Sequence, residues 1–118
     1  MGRPVVMFEL GCGDKERTRA FYTQLFDWTS EPYGPLANRF DTGSAQGIQG
    51  FATSLGHEPH QYVLFYVEVD DIPAHLAKAE ALGGKTFIPR APVPGGGHFA
   101  WLRDPDGNLV GLFEPAAK

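Results

Sequence analysis

The sequence has a single cysteine, Cys12, among its 118 residues. An intrachain disulfide is therefore impossible, and a zinc site built from several cysteines is excluded as well. No stretch approaches the roughly 18 consecutive apolar residues that a membrane-spanning helix needs. The first ten residues also lack the apolar segment and the cleavage site of a secretory leader. These absences predict a cytoplasmic protein with no membrane partner.

Basic residues and common catalytic motifs are also scarce. Ten Lys and Arg stand against 14 Asp and Glu, and no basic cluster is present, so we expect no nucleic-acid partner. Glu16 stands where a dinucleotide-binding loop beginning at Gly11 needs its third glycine. Gly97 is followed by His98 rather than by Lys and Ser or Thr, so it is no phosphate-binding loop, and no G-x-S-x-G motif occurs.

Turn-forming residues, by contrast, are abundant and are spread along the whole chain. The 15 Gly and 10 Pro favour many turns between short strands. We predict strands over residues 4–10, 29–33, 36–42, 46–54, 62–69, 85–88, 98–103 and 109–113, with a loop over 89–97. Two helices are predicted, one over residues 14–27 and one from Asp71 to the glycines at 83 and 84, with Asp14 and Asp71 as their N-caps.

Each predicted helix has apolar residues at helical spacing, which indicates a buried face. For the first helix the stripe is Phe21, Leu25 and, one residue past the predicted end, Trp28, with Tyr22 and Phe26 beside it. In the second they are Ile72, Leu76, Ala79 and Leu82. We expect both sets to pack against a sheet.

The predicted order of elements is βαβββ, repeated once. The two halves match at an offset of 57 residues, as between Asp14 and Asp71, which indicates an internal repeat. A half of about 58 residues closes a core poorly by itself. We therefore predict one α+β domain over 1–118, made of module one (1–57) and module two (58–118). Its helices should lie on one face of a curved mixed sheet, and the other face should be concave.

Three segments carry a family resemblance: DKERTRAFYTQLF in the first half, VEVDDIPAHLAKAEALGGK in the second, and FAWLRDPDGNLVGLFEP near the end. Together they resemble the vicinal oxygen chelate superfamily, which includes glyoxalase I, bleomycin-resistance and fosfomycin-resistance proteins and extradiol dioxygenases. The resemblance implies paired βαβββ modules around a ligand cavity, and it implies a homodimer.

The resemblance also locates the metal site of the metal-dependent members. Those members hold one divalent ion with four His, Glu or Gln side chains from the first and last strand of each module. The corresponding positions here are Met7, Leu64, Gly111 and Gly50. Because Met, Leu and Gly cannot ligate a hard or borderline divalent ion, we predict that the metal site is lost and that no metal cofactor is bound.

The same resemblance implies an apolar cavity. If Met7 faces the cavity, the alternation of side chains along strands directs further residues to the same side. The predicted ligand-binding residues are Met7, Glu9, Leu64, Tyr66, Trp101, Gly111 and Phe113. The leading interpretation is a protein that binds a small, partly apolar or aromatic molecule without metal, as the binding-type resistance proteins do.

Glu9 is the candidate catalytic residue. Burial among apolar neighbours raises the pKa of a carboxyl group and suits it to act as a base. Equally, such a Glu can be hydrogen-bonded to Arg or Tyr and chemically inert. Two other functions therefore stay open: a glyoxalase- or dioxygenase-type enzyme, either metal-free with Glu9 as base or metal-dependent with unusual ligands, and an interaction module whose own side chains fill its cavity.

The histidines give weaker signals. His57 and His60 have the spacing of half a zinc site, but Pro59 excludes the helix that such a motif normally needs, which favours a loop. His75 is predicted on the surface of the second helix. His98 opens a strand near the expected cavity mouth, where it is either an acid or base or a residue of the strand edge.

Overall fold

The structure is a computed structural model that describes residues 2–55 and 60–116. Its elements are β1 (Val5–Gly11), α1 (Lys15–Phe26), β2 (Thr29–Tyr33), β3 (Ala37–Asp41), β4 (Gln49–Thr53), β5 (Val63–Glu68), α2 (Ile72–Ala81), β6 (Lys85–Pro92), β7 (His98–Arg103) and β8 (Leu109–Glu114). The predicted module boundary after residue 57 and the candidate His57 lie outside the described residues. Within them, neither helix has the length and the apolar character needed to cross a membrane.

The chain divides into two compact units, and both have the same topology. The first unit comprises the described residues of 7–64, and the second those of 1–6 and 65–118. In the first, the strand order is β2-β3-β4-β1, with β4 parallel to β1 and the other pairs antiparallel. In the second, the order is β6-β7-β8-β5, with β8 parallel to β5. The predicted α+β fold with two βαβββ repeats is confirmed.

Both helices begin at the predicted caps. The Asp14 carboxylate accepts hydrogen bonds from the backbone N–H groups of Glu16 and Arg17, each at 3.1 Å. The Asp71 carboxylate accepts one from the N–H of Ala74 at 3.0 Å. These bonds satisfy backbone donors that have no partner inside the first helical turn, which is why a short polar residue fixes each helix start.

Each unit has its core on the side of the sheet that carries the helix. The first core contains Leu10, Cys12, Phe40 and Ala52, with Phe8, Tyr22 and Trp28 packed against it. The second contains Val69, Ile72, Leu76, Ala100 and Leu112, with Val67 and Leu102 packed against it. We call the opposite side of each sheet its reverse face.

The predicted buried stripes of the helices are partly wrong. Phe21 and Leu25 are 58% and 56% exposed. Tyr22 faces the core instead, because its ring contacts both Trp28, at a centroid distance of 5.6 Å, and Phe40, at 6.0 Å. Leu82 is 70% exposed, since it is the C-cap residue of α2 and its backbone has already left the helical conformation.

Strand β6 is longer than predicted, because it continues through Pro89 to Pro92. Its pairing with β7 shifts register between Thr86 and Ile88 and again between Ile88 and Ala91. An edge strand tolerates proline at such irregularities, since the missing N–H is not needed for a second neighbour. The segment that was predicted as a loop over 89–97 is therefore half strand.

The end of β8 is fixed to α2 and β6 by Glu114. Its carboxylate accepts a hydrogen bond from the Ile72 N–H at 3.0 Å, and bonds from Arg90 Nε and Nη2 at 2.9 and 2.7 Å. The Ile72 N–H and then the Arg90 guanidinium hold the pKa of Glu114 below its ordinary value of 4.5. His98 joins this cluster, with its Nδ1 3.2 Å from Arg90 Nη2.

We predict that Glu114→Gln lowers the free energy of unfolding at pH 7, and that the difference from the wild type disappears in acid. Because the folded-state pKa of Glu114 is lowered, its contribution is complete above pH 4.5 and is lost as the pH falls through the folded pKa. Urea unfolding of both proteins between pH 7 and about pH 3 measures the difference.

The matched control is Glu31→Gln, which removes an exposed carboxylate whose cation, Arg39, lies 3.9 Å away. This control should keep the acid dependence of the wild type. If the loss of unfolding free energy in Glu114→Gln stays constant down to pH 3, the ionised Glu114 carboxylate is not its source.

Candidate functional site

Three of the predicted site residues meet on the reverse face of the second unit. Gly111 in β8 is the register partner of Tyr66 in β5 and of Trp101 in β7. The Trp101 indole Nε1 donates a hydrogen bond of 2.9 Å to the Tyr66 hydroxyl. Register partners share a sheet face. The three residues therefore lie on one face of the sheet, as strand alternation predicts.

Gly111 is required by the Tyr66 ring. A Cβ added at this glycine would overlap with the ring atoms of Tyr66. The aromatic ring therefore lies directly on the β8 backbone, in the space that a side chain at position 111 would occupy. No larger residue fits here unless Tyr66 moves and its bond with Trp101 is disturbed.

Phe87 and Arg103 extend this aromatic group, and sequence reasoning missed both. The Phe87 ring lies parallel to the Trp101 ring, with an angle of 8° and a centroid distance of 6.2 Å. The Arg103 guanidinium carbon is 4.7 Å from the Phe87 centroid. Alternation along β7 could have found Arg103, which is two residues after Trp101. Phe87 was hidden by the register shift between Thr86 and Ile88.

Exposure differs sharply within the group. Trp101 has 0% and Tyr66 has 5% of its surface exposed, whereas Phe87 is 39% exposed. Phe113, the remaining predicted residue of this unit, is half-buried and is the register partner of Glu68 and Phe99. Phe87 is thus an exposed ring, and Phe113 and its register partner Phe99 are partly exposed, whereas Tyr66 and Trp101 are buried.

The other predicted residues belong to the first unit. Met7 pairs in register with Gln49, and Glu9 pairs with Phe51. Glu9 is only 7% exposed, and its carboxylate accepts a hydrogen bond from the Tyr62 hydroxyl. Leu64 is 3% exposed. A buried Glu bonded to a Tyr is the arrangement that the inert interpretation of Glu9 required, although a base also needs a partner that orients it.

Gly50 does not lie on the face of Met7, so its assignment as a metal-ligand position is corrected. Its register partner is Phe8, and a Cβ added at Gly50 would be 2.5 Å from the Phe8 ring. Phe8 packs on the core side of the sheet. Gln49 is the β4 residue on the Met7 side, and its Oε1 accepts a hydrogen bond of 2.7 Å from the Thr42 N–H.

A separate cleft of about 190 Å³ lies at the edge of the first unit. Its lining residues are Thr29, Ser30, Glu31, Arg39 and Asp41. The lining has no aromatic ring and carries both signs of charge. It therefore does not provide the apolar surface that the predicted ligand requires.

The family model of the glyoxalase-like domain matches residues 5–113. The chain belongs to the glyoxalase-like family of the vicinal oxygen chelate superfamily. This confirms the resemblance that the sequence motifs carried.

Individual relatives of this glyoxalase-like chain have varied names. CFP32, a protein of Mycobacterium tuberculosis (strain CDC 1551 / Oshkosh) provisionally named a glyoxylase, is 43% identical over 51 residues. This match covers 43% of the chain and 20% of the relative, so the chain spans only about a fifth of that protein.

Two solved structures show the same fold. Methylmalonyl-CoA epimerase from Mycobacterium tuberculosis is 14% identical with a TM-score of 0.65, over 96% of this chain and 88% of the other. A glyoxalase/bleomycin resistance protein/dioxygenase superfamily member from Vibrio splendidus 12B01 is 16% identical with a TM-score of 0.59, over 97% and 99%. At these identities the likeness concerns the fold alone.

The donor atoms at the family's metal positions do not fit a divalent ion in this glyoxalase-like chain. Met7 offers a thioether, Leu64 and Gly111 offer no donor, and the Gln49 oxygen, which also accepts the Thr42 N–H, is a single oxygen ligand among them. Across residues 2–55 and 60–116, no group of three or more His, Cys, Asp and Glu side chains is arranged to hold a metal.

We predict that Gly111→Ala destabilises the glyoxalase-like fold by about 1–3 kcal/mol, because the new methyl group overlaps with the Tyr66 ring. Gly13→Ala is the control, since a Cβ there meets nothing within 4 Å. It should change stability by less than about 1 kcal/mol. Chemical denaturation of both variants measures the two values, and equal stabilities would contradict the packing described for Tyr66.

Proposed function

We propose that the protein binds a small, partly apolar or aromatic molecule on the reverse face of its second unit, without a divalent metal. The observation that carries the proposal is the position of the Tyr66 ring on Gly111. It puts an aromatic ring where the metal-dependent members of the superfamily have a ligand side chain. The proposed contacts, Phe87 and Phe113, both belong to this unit.

The energetics of such a site come from ring contacts and apolar burial. Aromatic pairs contribute roughly 0.5–1.5 kcal/mol beyond the free energy of the area that they bury. Because the Phe87 ring is exposed, a ligand ring can form such a pair with it. The Tyr66–Trp101 hydrogen bond fixes the rings beneath. The Arg103 guanidinium beside Phe87 adds a positive charge that suits an anionic group on the ligand.

The names of the relatives support a ligand site but do not select the ligand. A glyoxylase and a methylmalonyl-CoA epimerase are different enzymes, although this chain is similar to both. One fold that hosts several functions cannot identify a substrate. The chemistry of the rings therefore defines the proposed ligand class better than the fold does.

We predict that aromatic fragments bind in preference to their saturated counterparts, for example benzoate over cyclohexanecarboxylate. The two probes have the same charge and similar size, so a difference between their affinities reports contacts with the aromatic ring. Ligand-observed NMR measures binding, and Phe87→Ala should weaken the binding of benzoate about tenfold. Dialysis against a chelator should leave binding unchanged.

Phe21→Ala is the matched control, because it removes an exposed ring from the first unit. It should leave benzoate binding as in the wild type. Equal binding of the aromatic and saturated probes would refute the proposed contacts. Stoichiometric retention of Ni, Zn, Mn or Fe(II) after dialysis would refute the metal-free part.

Glu9 and Tyr62 favour a second candidate, a metal-free enzyme that removes a proton from carbon. Glu9 is 7% exposed and bonded to the Tyr62 hydroxyl, so a substrate would have to displace or share that bond. In the chemical step the carboxylate would take the proton next to a carbonyl group, and the electron pair of the broken C–H bond would move into the enolate. The proton returns to the same carbon when the enolate collapses.

This candidate predicts deuterium incorporation from D₂O into an acid thioester such as methylmalonyl-CoA, the substrate named for the epimerase relatives. Incorporation should persist in chelator and should fall at least about 100-fold in Glu9→Gln. Tyr62→Phe keeps the ring but removes the hydroxyl, so it should alter the rate less. If the rate in Glu9→Gln equals that of the wild type, Glu9 is not the base.

A further inference from the structure

The reverse face of the second unit carries two cations side by side, next to its exposed ring. Lys85 in β6 is the register partner of Arg103 in β7. Directly opposite residues of an antiparallel pair share a sheet face, with their Cβ atoms about 5 Å apart. The Arg103 guanidinium carbon lies 4.7 Å from the Phe87 centroid, and Phe87 stacks on Trp101. Both cations therefore lie on the face that carries the proposed ligand site.

Neither cation is neutralised by a carboxylate within the described part of the chain. Lys85 and Arg103 take part in none of the ion pairs between described residues. The carboxylates closest to them in sequence are bound elsewhere. Glu80 accepts a hydrogen bond of 2.7 Å from the Thr86 hydroxyl, and Asp104 accepts hydrogen bonds within the turn that follows it. The two positive charges are therefore available to an anion from solution.

The backbone that carries the two cations is closely packed. Gly84 directly precedes Lys85, and a Cβ added at Gly84 would lie 2.7 Å from the Arg103 carbonyl oxygen. The Arg103 Nη1 donates a hydrogen bond of 2.8 Å to the Gly107 carbonyl, which fixes the guanidinium at the end of β7. Like charges that lie directly opposite each other destabilise a sheet. Since the strands are held together here, a bound anion is the direct way to relieve this repulsion.

We propose that the ligand of this site carries a dianionic group of the phosphate-monoester kind beside its aromatic part. This rests on the proposed function, because it names the head group of the molecule that contacts Phe87. The guanidinium of Arg103 is a flat fork of N–H donors that fits phosphate oxygens, and the Lys85 ammonium is a compact second charge. A dianion neutralises both cations, whereas a monoanion such as a carboxylate leaves one positive charge unbalanced.

The first test compares phenyl phosphate with phenyl sulfate. The two probes share a ring and a tetrahedral head group, but the phosphate has a second pKa of about 6 and is a dianion at about pH 8. The sulfate is a monoanion at any such pH. By ligand-observed NMR at low salt, phenyl phosphate should bind about fivefold more tightly than phenyl sulfate. This preference should disappear at about pH 5, where the phosphate has gained a proton.

The second test removes the cations one at a time. Lys85→Gln should reduce the preference for the phosphate to about twofold or less, and this exposed side chain can be replaced without loss of packing. Arg103→Gln should have the same effect, whereas Arg103→Lys should keep most of the preference. Lys78→Gln is the matched control, because it removes one exposed positive charge from α2 of the same unit. The control should bind both probes with the preference of the wild type.

Cyclohexyl phosphate distinguishes a wrong head group from a wrong ring contact. If phenyl phosphate and phenyl sulfate bind equally, the dianion is overturned and the ring contacts stand. If cyclohexyl phosphate binds as tightly as phenyl phosphate, and both bind more tightly than phenyl sulfate, the ring contacts are refuted and the dianion stands. A preference that Lys78→Gln reduces as much as Lys85→Gln comes from overall charge and overturns the dianion site. If none of the three probes binds, both proposals are refuted.

Discussion

The close contact between the Tyr66 ring and the backbone of Gly111 is the constraint on which the reverse face of the second unit depends. It exists because β5 and β8 are adjacent parallel strands with these residues in register. The ring position then fixes the Tyr66 hydroxyl, which accepts a hydrogen bond from the buried Trp101 N–H. This bond gives the indole N–H the partner that a buried donor needs. Phe87 stacks on Trp101 in turn. The lack of a side chain at Gly111 thus allows the rings of Tyr66, Trp101 and Phe87 to pack together.

The elements of the fold were predictable where their signals are local. Asp14 and Asp71 determine the starts of the helices through bonds to the next few residues, and a sequence shows such short-range bonds directly. The rotation of α1 about its axis was not predictable in the same way. Phe21 and Tyr22 are neighbours with similar side chains, and the choice between them depends on Phe40, which is distant in sequence. Tertiary contacts decide which apolar stripe is buried.

The sheet face on which the candidate residues lie was predictable where strand alternation could be followed without interruption. Along β8 it put Gly111 and Phe113 on one face, as the register shows. The family resemblance put the fourth metal position at Gly50, one residue away from the β4 residue on the Met7 side, because the irregular segment between β3 and β4 gives no count from which to start. The register shift in β6 hid Phe87 for a similar reason. The Glu9–Tyr62 hydrogen bond joins residues far apart in the chain, so no spacing rule predicts it.

The two repeats carry the same fold but different chemistry on their last strands. Each has a glycine under an aromatic ring of the neighbouring parallel strand, Phe8 over Gly50 and Tyr66 over Gly111. In the first unit the ring lies on the core side, and in the second it lies on the reverse face. The β4 residue on the Met7 side is Gln49 rather than Gly50, so the two glycines occupy opposite faces of their sheets. The same pairing of a glycine with a ring therefore builds the helix-side core of the first unit and the reverse face of the second.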